Sequence, residues 1–242
     1  MKIYFLGTNG WYTTPTGNTP CILIDSQEGY IIFDAGNGFY KIDEYIKDDR
    51  PISLFLSHFH LDHVSGLHML SKFNFSQPIN IYLAKGRKKD FDTLFNIPYT
   101  DPKVDIRIHE LEEGKNELEF PLEVFRMRHA HEDHSFRLTL EGKIISYSGD
   151  TGICENSKLL ARNADLLIHE CSYIKITDNW GHSDPELAAA LAKEAGVKKL
   201  ILTHFDASRY TDLEKRKWAE DEARKIFPNT VAADDNLVIE LN

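Results

Sequence analysis

The chain reads His58-Phe59-His60-Leu61-Asp62-His63 at the end of an apolar strand pattern, and this stretch decides its fold. One residue separates His58 from His60, so on an extended backbone both imidazoles point to the same side and can hold one cation. Asp62 and His63 follow in the turn, where an oxygen and a nitrogen ligand can reach a second cation. Four ligand-type side chains within six residues favour a metal centre over a cluster of solvated histidines.

A second stretch of the chain repeats part of this pattern. Residues 54–60 read LFLSHFH and residues 200–206 read LILTHFD, so in each an apolar strand leads into a hydroxyl residue, a histidine and a phenylalanine. Two interpretations stay open: chance similarity over a short stretch, or two related half-domains that face each other. In the second case, metal ligands lie at equivalent strand ends.

Composition limits the class of protein. The 242 residues are 42% hydrophobic, and we expect them to form one domain, residues 1–242. No apolar run approaches the roughly 20 residues of a membrane span, and the amino terminus does not resemble a signal peptide, so we expect a cytoplasmic protein without membrane contact. A net charge of −10 argues against a broad nucleic-acid-binding face. The three cysteines form no Cys-x-x-Cys pair, which argues against a thiolate zinc site.

The hydrophobic pattern predicts a mixed α/β chain with many short strands. The predicted strands are residues 3–6, 21–25, 30–34, 52–56, 79–83, 104–108, 122–127, 136–140, 143–147, 166–169, 200–203 and 237–241. The predicted helices are residues 41–47, 90–95, 185–195 and 212–227. The third helix has the clearest ends, because Ser183 or Asp184 can cap it, Pro185 suits its first turn and Gly196 suits its end.

Residues 58–63 resemble the His-x-His-x-Asp-His signature of the metallo-β-lactamase-fold hydrolases. Later segments match that family in order: a histidine before Phe136-Arg137-Leu138, then Ser148-Gly149-Asp150-Thr151, then Leu202-Thr203-His204-Phe205. The resemblance implies an α/β fold, a four-layer αββα sandwich with two mixed β-sheets. It also implies two divalent metal ions, with zinc favoured and manganese or iron as alternatives.

The same resemblance implies a ligand for each position of both metal sites. His58, His60 and His129 would hold the first ion. Asp62, His63 and His204 would hold the second, with Asp150 bridging the two.

Three histidines compete for one of these positions, because residues 128–134 read RHAHEDH. In the family's phosphodiesterase branch, the ligand lies six residues before a Gly-Tyr-Arg or Gly-Phe-Arg stretch, which Ser135-Phe136-Arg137 resembles. Counting back six residues from Ser135 gives His129, with His131 and His134 as alternatives. Otherwise these two are interpreted as surface or hydrogen-bonding imidazoles, as are His68 and His109, which sit in no motif.

The carboxyl half resembles ribonuclease Z and its small phosphodiesterase relatives, on residues 167–171 (LIHEC), 181–183 (GHS) and 202–210 (LTHFDASRY). In that branch His182 lies beside the scissile phosphate and Glu170 orients its ring. Asp62 would take the proton of the water that the metals acidify, and the resulting hydroxide would attack phosphorus. The alternatives are that His182 only begins a helix and that Glu170 is a solvated carboxylate at a strand end. Arg209 is a candidate phosphate contact, because its planar fork suits phosphate oxygens.

One departure from ribonuclease Z bears on the substrate. That enzyme usually carries a long arm between the third-histidine motif and Gly-Asp-Thr, and the arm grips tRNA. Here only residues 136–147 fill the gap, enough for a simple hairpin. The sequence therefore favours a small phosphodiester, such as a cyclic nucleotide or a short oligonucleotide. The alternatives are a ribonuclease Z-like tRNA 3′ endonuclease, a lactone, thioester or β-lactam hydrolase, and a non-catalytic metal-binding module.

Two surface features are open to more than one interpretation. Residues 85–89 (KGRKK) could hold a phosphate backbone, but such charge runs are commonly solvated turns. Relatives are often dimers, so a homodimer stays open, with four aromatic side chains as candidates for its interface or for a substrate rim. These are Trp11, Tyr12, Phe39 and Tyr40.

Overall fold

The computed structural model describes residues 1–95, 101–176 and 181–242 of the chain. The strands are β1 (Lys2–Gly7), β2 (Asn9–Gly10), β3 (Cys21–Ser26), β4 (Gly29–Phe33), β5 (Ile52–Phe55), β6 (Ile79–Ala84), β7 (Ile106–Leu111), β8 (Gly114–Glu117), β9 (Pro121–Arg126), β10 (His134–Leu140), β11 (Lys143–Tyr147), β12 (Leu166–Glu170), β13 (Leu200–Thr203), β14 (Phe205–Asp206), β15 (Thr230–Ala232) and β16 (Val238–Glu240). The helices are α1 (Leu61–Val64), α2 (Lys88–Phe95), α3 (Glu155–Ala161), α4 (Pro185–Glu194) and α5 (Leu213–Arg224), with 3₁₀ helices at Asn37–Glu44 and Ser65–Ser71.

Two seven-stranded mixed sheets form the middle of the molecule. The first has the order β16-β1-β3-β4-β5-β6-β7 and is parallel from β4 to β7. The second has the order β15-β13-β12-β11-β10-β9-β8 and is parallel from β15 to β11. A short parallel pair, β2 with β14, joins the amino-terminal segment to the segment after β13.

The sheets face each other across an aromatic core. Phe33 and Phe55 of the first sheet pack on Phe136 and Tyr147 of the second, and the Phe33 ring lies 4.8 Å from the Tyr147 ring in a stacked arrangement. Burying each such ring contributes roughly 1.5–3 kcal/mol to stability. The inner faces of the two sheets therefore hold the two halves of the fold together.

Helices cover both outer faces of this pair of sheets. The two 3₁₀ helices, α1 and α2 pack on the first sheet, and α4 and α5 share a core cluster with β12 and β13 of the second. Strands such as β5, β12 and β13 are buried at every residue because both of their faces are covered, which explains why most of their residues are apolar. The layers follow the order helix, sheet, sheet, helix, which confirms the predicted αββα sandwich.

The link between β10 and β11 is a tight hairpin. Leu140 pairs with Lys143, and the two turn residues Glu141 and Gly142 have φ of 47° and 72°. Left-handed backbone at both turn positions is the geometry that two-residue hairpins prefer. The chain thus forms the simple hairpin that the sequence predicts, without an inserted arm.

Several elements differ from the sequence prediction. The helix predicted for residues 41–47 is a 3₁₀ helix at Asn37–Glu44, and the strand predicted for residues 104–108 lies at Ile106–Leu111. The sequence analysis missed α1, α3, β2, β8, β14, β15 and the second 3₁₀ helix. All are short, and β8 (GKNE) has no apolar alternation to reveal it.

The basic run at residues 85–89 forms ion pairs with nearby carboxylates. In the run at residues 85–89, Lys85 pairs with Glu112, Arg87 with Asp90 and Lys88 with Asp92. Carboxylates therefore pair with three of the four cations in this run, Lys85, Arg87 and Lys88, which favours the interpretation as a solvated turn. Across the part of the chain that the structure describes, no helix combines the length and apolar character that membrane crossing requires.

Candidate metal centre

Six of the seven predicted ligands come together because they follow strands that have a parallel neighbour, whereas His129 follows β9, which is antiparallel to both its neighbours. His58 and His60 come after β5, and α1 then places Asp62 and His63 in its first turn. Asp150 follows β11 and His204 follows β13, so both sheets contribute to one site. This is the sheet edge at which open α/β folds usually bind ligands. The repeated stretches at residues 54–60 and 200–206 thus lie in different sheets and lead into the same site.

A left-handed glycine directs the chain at Asp150. Gly149 has φ of 55°, and a Cβ atom added there would lie 2.4 Å from the Asp133 Oδ1 atom. Only glycine combines this conformation with so close an approach at low cost. The turn after β11 therefore requires glycine to carry Asp150 into the site.

The site contains two groups of ligand atoms, and within each group the atoms lie within 4.8 Å of one another. The first group, here called cluster A, is His58, His60, His129 and Asp150. The second, cluster B, is Asp62, His63 and His204. The structure therefore brings together all seven residues that the sequence singles out.

Asp150 faces both clusters. Its Oδ2 atom lies 3.8 Å from Nε2 of His58 in cluster A. Its Oδ1 atom lies 3.5 Å from Nε2 of His63 and 3.2 Å from Nε2 of His204 in cluster B. A carboxylate with one oxygen towards each cluster can bridge two cations.

The ligand atoms of the two clusters are arranged in a way that suits bound cations better than hydrogen bonds among the side chains. Nε2 of His58 and Oδ1 of Asp150 are buried and have no hydrogen-bond partner. Nε2 of His63 lies 3.0 Å from Nε2 of His204, so two ring nitrogens point towards one place. Buried polar atoms are costly without a partner, and imidazole with carboxylate suits zinc, manganese or iron.

Two buried carboxylates orient histidines of the site. Asp133 Oδ2 lies 2.7 Å from Nδ1 of His58, and Asp34 Oδ2 lies 2.8 Å from Nδ1 of His63. A histidine that donates its Nδ1 proton to a carboxylate presents Nε2 to a metal. Asp34 is itself held by Tyr147, whose hydroxyl donates to Oδ2 over 2.6 Å.

The other histidines are fixed by neutral acceptors. The Ser172 hydroxyl lies 2.9 Å from Nδ1 of His204, and the Gly181 carbonyl lies 2.9 Å from Nδ1 of His129. The sequence analysis missed Asp34, Asp133 and Ser172. Asp133 sits among the candidate ligands, and Asp34 ends an apolar strand, which is the only signal that could have singled them out.

The protonation of cluster A favours metal binding. Burial, together with the neighbouring charge of His63, lowers the pKa of His58 to about 3. Burial and His58 lower the pKa of His60 to about 4. Both imidazoles are therefore neutral near pH 7, which is the form that binds a cation.

Cluster B is held together by charge. Burial lowers the pKa of His63, but the carboxylates of Asp150, Asp62 and Asp34 outweigh burial and raise it well above its usual value. Burial raises the pKa of Asp62, yet His63 and His204 bring it below its usual value. The Asp62 carboxylate thus stays ionised, and a cation bound here would replace the protons that His63 and His204 hold in its absence.

We expect Asp133→Asn to weaken metal binding at cluster A by about 10- to 100-fold, because the amide lacks the charge that orients and polarises His58. Competition with a chromophoric chelator measures the affinity. The control is Asp105→Asn, which changes an exposed carboxylate that forms an ion pair with Arg107. Equal affinities in the two variants would show that Asp133 does not position His58.

Glu170 and His182 form a pair beside both clusters. Nδ1 of His182 donates to Oε1 of Glu170 over 2.8 Å, and Glu170 also accepts from the backbone N–H groups of Thr151 and Ser172. The His182 ring lies 4.9 Å from the ring of His129 and 6.2 Å from that of His204. Glu170 is buried, so the alternative of a solvated carboxylate at a strand end is wrong.

The carboxylate controls the charge of His182. Burial lowers the pKa of His182, but the charge of Glu170 and the hydrogen bond to it outweigh burial and raise the pKa to about 9. His182 therefore carries a proton that it can donate.

A cavity of about 490 Å³ opens over these groups. Its wall includes His60, Asp62, Asp150, His182 and His204. It can therefore admit a ligand that touches both clusters and the Glu170–His182 pair.

Arg209, the candidate phosphate contact, lies next to two residues of the cavity wall. It forms an ion pair with Asp206, and its guanidinium carbon lies 4.1 Å from the centre of the Tyr173 ring. Asp206 and Tyr173 both line the cavity, whereas Arg209 does not. The structure thus pairs Nη1 of Arg209 with a residue of the cavity wall and leaves Arg209 itself outside the residues that line the cavity.

The remaining histidines lie outside both clusters. His131 is exposed, with its ring 5.1 Å from that of His60, and His134 is buried at the start of β10, 3.7 Å from Glu132. His68 contacts the Ser65 carbonyl and His109 the Asn80 side chain. The structure thus places His129 closer to the other cluster A ligands than either alternative.

Of the four aromatic residues considered for an interface or a substrate rim, one is buried and three are exposed. Phe39 is fully buried in the core under the first sheet, so its assignment to an interface or a substrate rim is wrong. Trp11, Tyr12 and Tyr40 are exposed, and Trp11 lines the cavity.

Comparison with known proteins adds independent information. The sequence profile of the family described as "Beta-lactamase superfamily domain" matches residues 30–205. The ribonuclease Z of Bacillus velezensis is 28% identical over 300 aligned positions, covering 97% of this chain and 97% of the relative. The ribonuclease BN of Escherichia coli is 30% identical, with 97% of this chain and 98% of the relative covered.

Among solved structures, the metallo-β-lactamase fold protein YhfI from Bacillus subtilis has a TM-score of 0.83 to this chain, at 22% identity and 99% coverage of each chain. The 300 positions of the ribonuclease Z alignment outnumber the 242 residues of this chain. That relative therefore carries residues that have no counterpart here.

Proposed function

Because the chain belongs to the beta-lactamase superfamily, we propose that it is a phosphodiesterase with two divalent metal ions, acting on a cyclic nucleotide or a short oligonucleotide. The chain is a metal-dependent hydrolase of the metallo-β-lactamase fold, like its family and the relatives named ribonuclease Z. We further propose that both ions are zinc.

The observation that carries the proposal is the Glu170–His182 pair beside the two clusters. A buried carboxylate holds the ring of His182 over 2.8 Å and keeps it protonated at the cavity wall. Hydrolysis of a phosphodiester expels an alkoxide, which needs a proton or a neighbouring positive charge. A protonated imidazole directed by a carboxylate supplies both.

We assign the residues of the site as follows. His58, His60 and His129 would hold one cation, Asp62, His63 and His204 would hold the other, and Asp150 would touch both. Such a pair of cations, when bound, supplies an acidified water and stabilises negative charge on the phosphate oxygens. In this proposal Asp62 would accept the proton of that water, and His182 would donate its own to the leaving oxygen.

The size of the substrate follows from the hairpin between β10 and β11. Its two-residue turn leaves no arm with which to grip a folded RNA. The net charge of −10 also disfavours a long polyanion, whose binding depends on neutralising many phosphates. Both features support a small phosphodiester.

The names of the relatives support a second candidate, a tRNA 3′ endonuclease like ribonuclease Z. Hydrolysis of a lactone, thioester or β-lactam is the alternative on the same metals, and the Glu170–His182 pair fits phosphodiester chemistry better. A non-catalytic metal-binding module would not need that pair either. A cytoplasmic location and a homodimer stay predictions.

A substrate panel with metal quantification tests the proposal. We expect about two equivalents of metal and turnover of a chromogenic phosphodiester and of a cyclic nucleotide, but not of a lactone, a thioester or a β-lactam. Activity on the carbonyl substrates alone, at full metal occupancy, would overturn the phosphodiesterase proposal. Efficient cleavage of a tRNA precursor would overturn the argument from the hairpin.

A further inference from the structure

Two exposed apolar side chains mark the mouth of the cavity. Among the residues that the structure describes, the most exposed large apolar side chains are Leu61 at 68% and Trp11 at 65%. Both line the cavity that contains the metal-ligand residues. Single exposed apolar residues are common on proteins, but two at the mouth of a polar cavity indicate a ligand with an apolar part.

The backbone holds Trp11 in an unusual conformation. Its φ is 72°, and the N–H group of Tyr12 donates to the Gly10 carbonyl over 3.0 Å, which closes a tight turn around it. A bulky residue rarely adopts this left-handed region, and such conformations concentrate at functional sites. The turn directs the indole ring to the cavity mouth.

The same turn is tied to the metal site. The backbone N–H of Trp11 donates to Oδ2 of Asp62 over 2.7 Å, so the indole is fixed relative to cluster B. The Tyr12 ring packs edge-on against the indole, with centroids 5.2 Å apart. The backbone that carries the indole is therefore held in place before a ligand arrives, and the Tyr12 ring limits the positions of the indole, which lowers the entropy lost on binding.

The chemistry of the cavity defines what this indole can contact. The floor carries residues of both ligand clusters and His182, whose cations and N–H groups suit a phosphate. The mouth carries an indole and a leucine, which suit a flat apolar ring. A nucleotide has both groups in one molecule, with the base a few bonds away from the phosphate.

We propose that Trp11, with Leu61 beside it, is a stacking platform for the base next to the scissile phosphate, so that the substrates are nucleotide phosphodiesters. This inference rests on the proposed function, whose substrate it specifies. Stacking on an aromatic ring tolerates any base, because every base has a π-face. The site would then require a base without choosing among the four.

Binding of two probes to the metal-loaded protein tests the inference without any turnover. Adenosine 5′-monophosphate and ribose 5-phosphate share the sugar and phosphate and differ by the base. We expect calorimetry to show adenosine 5′-monophosphate binding roughly 10-fold tighter, the scale of one stacked base. Trp11→Ala should reduce this ratio to about 2-fold or less, whereas Trp11→Phe should keep most of it.

Two controls separate stacking from other effects. Trp218→Ala removes another exposed indole, in α5 and outside the cavity, and should leave the ratio unchanged. Leu61→Ala should lower the ratio less than Trp11→Ala. If Trp11 acted only through Asp62, its replacement would weaken both probes equally, and the stacking platform would be refuted.

The outcome is distinct from that of the proposed function. A ratio near one in the unchanged protein would overturn the platform even if a chromogenic phosphodiester were hydrolysed. A ratio that depends on Trp11 in a protein without phosphodiesterase activity would support the platform and overturn the proposed reaction.

Discussion

His182→Ala is expected to lower kcat on a chromogenic phosphodiester by about 10²- to 10⁴-fold, with both metal sites still filled. The reason is that His182 touches neither sheet core nor either cluster as a ligand, but lies at the cavity wall and is held by Glu170 over 2.8 Å. Losing the proton donor should raise the barrier for departure of the leaving oxygen. Steady-state kinetics and metal quantification on the same preparation measure the two effects.

The leaving group gives a sharper form of this test. An ester whose leaving alcohol is acidic, such as p-nitrophenol, needs less protonation than one with an aliphatic alcohol. His182→Ala should therefore impair cleavage of the aliphatic ester more. Equal losses on both esters would contradict the role of proton donor.

Control variants separate a positioning role from a catalytic one. Glu170→Gln should lower kcat less than His182→Ala, because the amide can still hold the ring but no longer supplies the charge. His68→Ala changes a histidine that lies outside the cavity and contacts the Ser65 carbonyl. This variant should leave kcat unchanged. If His182→Ala instead released metal, its assignment as proton donor rather than ligand would be wrong.

The second large effect is expected for Asp150→Asn, which should lower metal content at both clusters and reduce activity by at least about 10³-fold. Asp150 directs one oxygen towards each cluster, and no other residue of the two clusters does so. Its loss removes several kcal/mol of interaction with the cations, and each 1.36 kcal/mol corresponds to a tenfold change in rate. Elemental analysis after dialysis and steady-state kinetics measure the outcome.

Asparagine keeps the volume of Asp150, so a fold defect is not expected, and circular dichroism checks this. His109→Ala is the matched control, because His109 contacts Asn80 and Tyr82 far from both clusters. Full metal content and activity in Asp150→Asn would show that neither metal binding nor catalysis needs a carboxylate that bridges the two clusters.

Sequence reasoning predicts much of this fold because burial leaves a strong pattern. Strands covered on both faces, such as β5 and β13, are mostly apolar, and metal-ligand residues follow both of them. The helix α4 has a cap, a first-turn proline and a terminating glycine within the chain itself. These signals are local, so they need no knowledge of the tertiary structure.

Other parts depend on contacts between distant residues. Asp34 and Asp133 orient histidines that lie 29 and 75 positions away along the chain, which no local pattern reveals. Phe39 looks like any exposed aromatic beside Tyr40 until the sheet that buries it is known. Arg209 follows a matching motif, but its pairing with Asp206 is visible only in three dimensions.

Anomalous diffraction from crystals of the metal-loaded protein tests the central claim, that cations occupy both clusters, most directly. We expect two peaks roughly 3.5–4 Å apart, the spacing of two-metal hydrolytic sites. One peak should lie among His58, His60 and His129 and the other among Asp62, His63 and His204, with Asp150 touching both. A single peak, or metal bound elsewhere with these side chains hydrogen-bonded to one another, would show that the two clusters do not form a two-metal site.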